Sequence, residues 1–271
     1  MAPDVEFRAD LYRGTAAYYD RYRKPYPDAL FDDLIRRARA APDGRLLDLA
    51  CGTGQISLPL SGRFASVVAV DQEDESVAYG RAKSSRFGIG NITWVTGSAE
   101  TVDLGGRFEL VTVGNAFHRL RRDAVASRMR SWLVPDGGVA LIWGDMPWVG
   151  GTGWQEELMR FFIDWVARMD VADRVPQGFE EAMRHDPHES VLRRAGFDYV
   201  GKFEFPVEQS WSLEELTGYM YSTSLLNRAV LRERCAAFEE DLAGRLLEVD
   251  PTGNFSGPAS YAYELALAPA R

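Results

Sequence analysis

The sequence predicts an α/β protein: a sheet of mostly parallel strands closed by an antiparallel last strand, with added helices forming a cap. Three observations predict it. Short apolar runs alternate with helix-length spacers from Arg45 to Gly144, the rhythm of βαβ units. Those runs are apolar nearly throughout, as strands buried on both faces are. The final run, Ser260–Leu267 ("SYAYELAL"), instead alternates, which marks an antiparallel or half-exposed strand.

The elements follow in order. Arg45–Ala50 reads as the first strand, and Gln55–Ser61 as a short helix that Pro59 curtails. Ser66–Gln72 is a second strand, β-branched until Asp71, followed by a helix over Glu73–Phe87. Ile92–Gly97 and Phe108–Phe117 read as the third and fourth strands, Asp123–Leu133 as a helix, and Val139–Gly144 as a fifth strand after a Pro-Asp-Gly-Gly turn. Beyond Gly144 lie an amphipathic helix (Gln155–Met169), a strand over Tyr199–Pro206 and helices over Leu213–Ser224 and Asn227–Leu247. The expected organisation is an N-terminal helical lid (1–40), a ligand-binding core (41–145), cap elements (146–198 and 211–250) and strands completing the sheet (199–210 and 255–271).

Composition removes several classes of function. The formal net charge of -9 argues against wrapping nucleic acid, which demands clustered Lys and Arg. Apolar runs fall short of a membrane span and no charged-then-apolar leader opens the chain, so a cytoplasmic location is expected. Cys51 and Cys235 stand far apart with no His or Cys cluster beside them, and the chain has only three histidines, so neither a disulfide framework nor a metal site is expected. His185 and His188 read as surface residues around Pro187. The expected partner is a small-molecule substrate, not nucleic acid or membrane, with a homo-oligomer left open.

The stretch "LLDLACGTGQ" (Leu46–Gln55) carries the chemistry: a buried strand, a glycine turn and a helix start, an arrangement that holds nucleotide-like ligands. A triphosphate loop needs a lysine, and this loop has none. A dinucleotide loop needs a third glycine, and Ser57 follows Ile56 instead. Asp48-Leu49-Ala50-Cys51-Gly52-Thr53-Gly54 resembles the first motif of class I S-adenosylmethionine-dependent methyltransferases. Asp71, 19 residues after Gly52, stands where that family's acid accepts both ribose hydroxyls. Gly97-Ser98-Ala99-Glu100 is similar to the family's G-D-A-E, with Ser98 departing from the adenine-binding Asp. "WLVPDGGVALI" is similar to the turn into its fifth strand, and "YYDRYRKPYP" to the segment that precedes its first.

The resemblance covers residues 15 to 145. It implies a Rossmann-like methyltransferase sheet and S-adenosylmethionine as cofactor, with S-adenosylhomocysteine as product. It makes Tyr19, Arg23, Asp48, Ala50, Gly52, Thr53 and Gly54 cofactor-binding residues, with Tyr19 and Arg23 approaching the methionine end and Arg23 pairing with its carboxylate. Asp71, Gln72, Ser98, Ala99 and Glu100 would hold the ribose and adenine, and Asn115 and Ala116 would line the cofactor at the fourth strand. Phe117, Tyr12 and Tyr18 would wall the substrate pocket, and His118 is the candidate general base.

An aromatic wall favours a cationic amine. N-methylation of a natural product is therefore the leading reading, and general similarity points to the lincosamide antibiotic N-methyltransferases. An O-methyltransferase of a sugar or phenol with His118 as base is one alternative. A nicotinamide-dependent oxidoreductase is another.

Overall fold

The computed structural model describes residues 7, 8 and 10–270. Helices α1 (Ala16–Tyr22) and α2 (Asp28–Ala38) precede the first strand. There follow β1 (Arg45–Leu49), α3 (Ser57–Leu60), β2 (Ser66–Asp71), α4 (Asp74–Arg86), β3 (Ile92–Thr96), β4 (Phe108–Gly114), α5 (Arg122–Trp132) and β5 (Leu133–Gly144). Next come α6 (Gly153–Met169), α7 (Phe179–His185), α8 (His188–Arg194) and β6 (Asp198–Ser212). The described chain closes with α9 (Leu213–Tyr221), α10 (Arg228–Leu231), α11 (Cys235–Val249) and β7 (Asn254–Leu267).

The strands form one seven-stranded sheet in the order β3-β2-β1-β4-β5-β7-β6. β1 to β5 pair in parallel, and β7 runs antiparallel between β5 and β6. The expected mostly parallel sheet with an antiparallel last strand is the one observed. Apolar side chains cover both faces. Leu30, Phe31 and Leu34 of α2 pack with Leu60 and Leu110 on one face, and Val125 and Met129 of α5 pack with Val111 and Leu141 on the other.

Several boundaries differ from the sequence reading. Phe117 leaves the fourth strand, because β4 ends at Gly114 and Asn115 turns the chain with a φ of 46°. The Pro-Asp-Gly-Gly turn lies inside β5 as an irregularity, where the register passes from Phe108↔Leu133 to Leu110↔Gly138 and Asp136 adopts a φ of 60°. The helix expected over Asn227–Leu247 is broken at Arg232, whose φ of 50° ends α10 before α11 begins.

Two groupings shift as well. α2 belongs to the sheet's core rather than to a lid. Val191 and Leu192 of α8 pack on the sheet with α5, so this stretch is a flank of the core rather than cap. The cap proper is α6, α9 and α11, joined by a second, aromatic cluster containing Trp165, Trp211, Phe161, Phe238 and Tyr219. Phe161 and Phe238 are fully buried, and each contributes about 1.5–3 kcal/mol by leaving water. β6 runs straight into α9 because Ser212 caps it: its Oγ accepts from the Glu215 N–H while Glu215 accepts from the Ser212 N–H.

Candidate functional site

The carboxyl ends of β1 to β4 open on a cavity of about 380 Å³, within the range of small-ligand sites. In parallel sheets the loops at these ends are where ligands bind. β1 contributes Ala50 and Gly52, whose φ values of 52° and 55° fold the chain back under the opening. A Cβ at Gly52 would make ordinary contacts with Gln55 Oε1 at 3.6 Å and the Tyr19 ring at 3.9 Å, so it is the positive φ rather than crowding that favours glycine here. Gly54 differs: its φ is 94°, and a Cβ would lie 2.7 Å from the Trp94 ring. It permits packing and does not line the cavity.

Asp71 stands at the tip of β2. Its Oδ2 accepts from the Gly52 N–H at 2.8 Å and its Oδ1 from the Glu73 N–H at 2.9 Å. Burial raises its pKa, while these backbone donors pull it back down. Gln72 lies beside it, and Ser98, Ala99 and Glu100 also line the cavity. Ser98 donates its hydroxyl to the Glu100 carboxylate, and Glu100 also accepts from the Arg121 N–H at 3.2 Å. Asn115, Ala116, Tyr12 and Tyr19 complete the expected set. Leu11, Glu73 and Arg119 also line this cavity, and no sequence motif marked them.

Other expected site residues lie elsewhere. Asp48 is fully buried behind the glycine turn, where its carboxylate accepts from Thr112 Oγ1 at 2.8 Å and from the Ser57 hydroxyl. Burial raises its pKa to about 6 against the pull of those hydroxyls. It joins β1, β4 and α3 and does not reach the cavity. Thr53 is buried and receives a hydrogen bond from Gln55 Nε2 at 2.7 Å. Tyr18 packs into the cap, stacked on Tyr22 and edge-on to Tyr221, away from the cavity.

Arg23 stands one layer out, beside a slot of about 40 Å³ that also borders Tyr19, Gln55 and Asn115. Its guanidinium donates to Ser222 Oγ and to the Tyr219 hydroxyl, each at 2.8 Å. The Tyr19 and Tyr219 rings lie 4.8 and 4.1 Å from it. No described carboxylate pairs with it.

Phe117 and His118 turn away from the large cavity into a side cavity of about 270 Å³. Phe117 meets the His188 ring edge-on at 5.1 Å, so His188 is an inward residue rather than a surface one. Burial, reinforced by Arg119 and His188, pushes the His118 pKa down to about 3. His188 falls to about 4, again chiefly by burial, with Arg122 adding to it. Both imidazoles are neutral near pH 7. Among the described residues, no three His, Cys, Asp or Glu side chains converge to hold a metal ion.

A further cleft of about 390 Å³ is bordered by Arg168, Arg174, Arg232 and Arg234. It shares only Arg8 with the large cavity and holds none of the expected site residues. No helix among the described residues is long and apolar enough to cross a membrane.

Residues 46–137 match the family described as "Methyltransferase domain". The chain is 34% identical over 106 residues to "Uncharacterized methyltransferase sll0829" of Synechocystis sp., covering 38% of this chain and 48% of that one. It is 30% identical over 172 residues to "Uncharacterized methyltransferase Mb3374" of Mycobacterium bovis, covering 62% and 65%. The chain thus spans about half the length of the first of these relatives. Among solved structures, one from Anaeromyxobacter dehalogenans, named as a candidate type II methyltransferase, is similar with a TM-score of 0.66. It is 21% identical and covers 92% of this chain and 98% of that one, a likeness of fold.

Proposed function

We propose, on the premise that residues 46–137 form a methyltransferase domain of the class I fold, that the protein methylates a small-molecule amine using S-adenosylmethionine. The observation that carries this reading is the set of groups around the large cavity. Asp71, bonded by two backbone N–H groups, faces it as an acceptor for ribose hydroxyls, and the Gly52 backbone lines it without a side chain. Arg23, a half-buried cation without a carboxylate partner among the described residues, stands next to the slot that the methionine carboxylate would enter. Asp48, Thr53 and Gly54 support the turn from behind instead of touching the ligand.

When bound, S-adenosylmethionine supplies an activated methyl: the acceptor's lone pair forms the new bond as the carbon–sulfur bond breaks toward sulfur, leaving a neutral thioether. The protein's part is to align the acceptor and exclude water. Leu11, Tyr12 and Tyr19, which line the cavity, would serve that purpose. An amine presents its own lone pair once it has lost a proton to solvent, so it requires no strong base. A sugar or phenol hydroxyl requires one, and an imidazole with a pKa of about 3 is a poor one. This disfavours the O-methyl alternative. The nicotinamide alternative is disfavoured by Ser57, whose hydroxyl is committed to Asp48 where a third glycine would be needed.

Thermal unfolding with separate ligands tests the reading. S-adenosylhomocysteine at about a hundred times its Kd should add about 2.7 kcal/mol of stability, and NADH should add none. A shift with NADH alone would refute the proposal. Mass analysis of reactions with amine mixtures then reads the acceptor; products methylated only on oxygen would remove the amine assignment. Membership of a natural-product pathway, such as lincosamide biosynthesis, is the narrower form of the same proposal.

A further inference from the structure

We infer that the side cavity is the acceptor subsite and that Glu264 recognises the acceptor there as a cationic amine. This rests on the donor-site reading above and adds where the acceptor binds and through which residue.

Size narrows the choice. The slot beside Arg23 measures about 40 Å³, room for a carboxylate but not for a metabolite. The arginine-lined cleft touches none of the β1–β4 tips. The side cavity offers about 270 Å³ and shares Asn115 and Ala116 with the donor cavity, so one short segment of chain walls both. Asn115 is held there by its N–H, which donates to the Ile142 carbonyl at 2.6 Å.

Chemistry narrows it further. Glu264 is the one charged residue of β7 and it lines the side cavity. Its Oε2 is buried and has no hydrogen-bond partner. A buried carboxylate oxygen left bare carries a desolvation cost that a ligand donor removes. Burial raises the Glu264 pKa, and the neighbouring groups offset that only through charge, none by a hydrogen bond to Oε2. Lys202, opposite Glu264 in the β6–β7 register, lowers the Glu264 pKa by its charge while its ammonium is paired with Glu204 at 2.5 Å. Arg122 donates to the Asp186 carbonyl at 2.6 Å, and the two imidazoles are neutral. Phe117 and Trp143 line the same cavity, and the Trp143 ring already holds one cation, the Lys202 ammonium 5.5 Å from its centroid. An ammonium group satisfies both features at once, whereas a neutral alcohol brings no charge. The ammonium is the form that is recognised, and it loses one proton to solvent before its nitrogen lone pair accepts the methyl.

Titration calorimetry on the full chain, with and without S-adenosylhomocysteine, compares benzylamine with its neutral isostere benzyl alcohol. Benzylamine should bind at least about tenfold more tightly, the scale of a charge-assisted hydrogen bond. E264Q should abolish that preference while binding S-adenosylhomocysteine as the wild type does. Equal binding of the two probes, no saturable benzylamine binding up to about 10 mM, or an E264Q variant that keeps the preference would overturn the assignment. If E264Q does not fold, the wild-type comparison decides alone. Amine preference without any S-adenosylhomocysteine binding would support Glu264 as an amine site while overturning the donor-site reading.

Discussion

Two cavities meet at Asn115, and their carboxylates live under opposite conditions. In the larger, Asp71 has each oxygen bonded to a backbone N–H at 2.8–2.9 Å. In the smaller, Glu264 has a buried oxygen with no partner, beside two uncharged imidazoles. The first carboxylate is fixed in place before any ligand arrives, which suits recognition of a rigid diol. The second has spare electrostatic capacity, which suits a ligand that brings its own charge. The same functional group therefore serves orientation on one side of a single tight turn and charge recognition on the other.

The largest expected break in this contrast is Asp71→Ala, which removes the orienting acceptor and the anchor of the glycine turn. S-adenosylhomocysteine affinity should fall about 100-fold, near 3 kcal/mol, measured by calorimetry. Gly54→Ala should leave the cavity wall untouched yet cost about 2 kcal/mol or more in denaturant unfolding, because it forces an alanine to a φ of 94° against Trp94. Arg23→Met sharpens the picture of the slot. It should weaken S-adenosylhomocysteine about tenfold but leave methylthioadenosine, which lacks the carboxylate, within about twofold.

The neutral imidazoles give a pH signature. His118 and His188 have folded pKa values of about 3 and 4, below the unfolded 6.5, so folding favours their uncharged forms. Their contribution is complete above pH 6.5 and is lost as pH falls through that value. Stability should decline by roughly 1 kcal/mol per pH unit for each between pH 6.5 and 4.5, and His188→Gln should flatten its share. The smallest effect is expected from His118→Gln, which should leave the shape of the kcat–pH profile unchanged between pH 6 and 9. An acid limb that disappears in that variant would restore His118 as the base.

The first half of the chain was readable because parallel strands buried on both faces announce themselves as apolar runs, and a glycine turn fixes their tips. Ala50, Gly52, Asp71, Gln72, Ser98–Glu100 and Asn115–Ala116, marked by the family resemblance, line one cavity. Asp48 sits just before the turn, but its side chain points into the sheet, which a motif does not record. Phe117 and His118 were placed by sequence adjacency, and the single positive φ at Asn115 turns them into the other cavity. The second half was less legible. β6 and β7 extend well beyond their apolar segments because they are bonded to each other, a long-range pairing with little local signature. One signal was present: an acid alone in "SYAYELAL" is costly inside a sheet and marks Glu264 as a residue with a use.

The position of β7 has a consequence for how the chain is made. β5 ends at Gly144, and the strand that pairs with its far edge, Tyr261–Leu267, is encoded more than a hundred residues later. During synthesis at about 5–20 residues per second, that edge waits on the order of ten seconds for its neighbour. Its exposed sequence through that interval, Val139-Ala140-Leu141-Ile142, is apolar and uncharged. A ribosome that stalls inside the cap would leave a nearly finished sheet with an adhesive side, so truncations between 145 and 260 should be found in inclusion bodies rather than in solution.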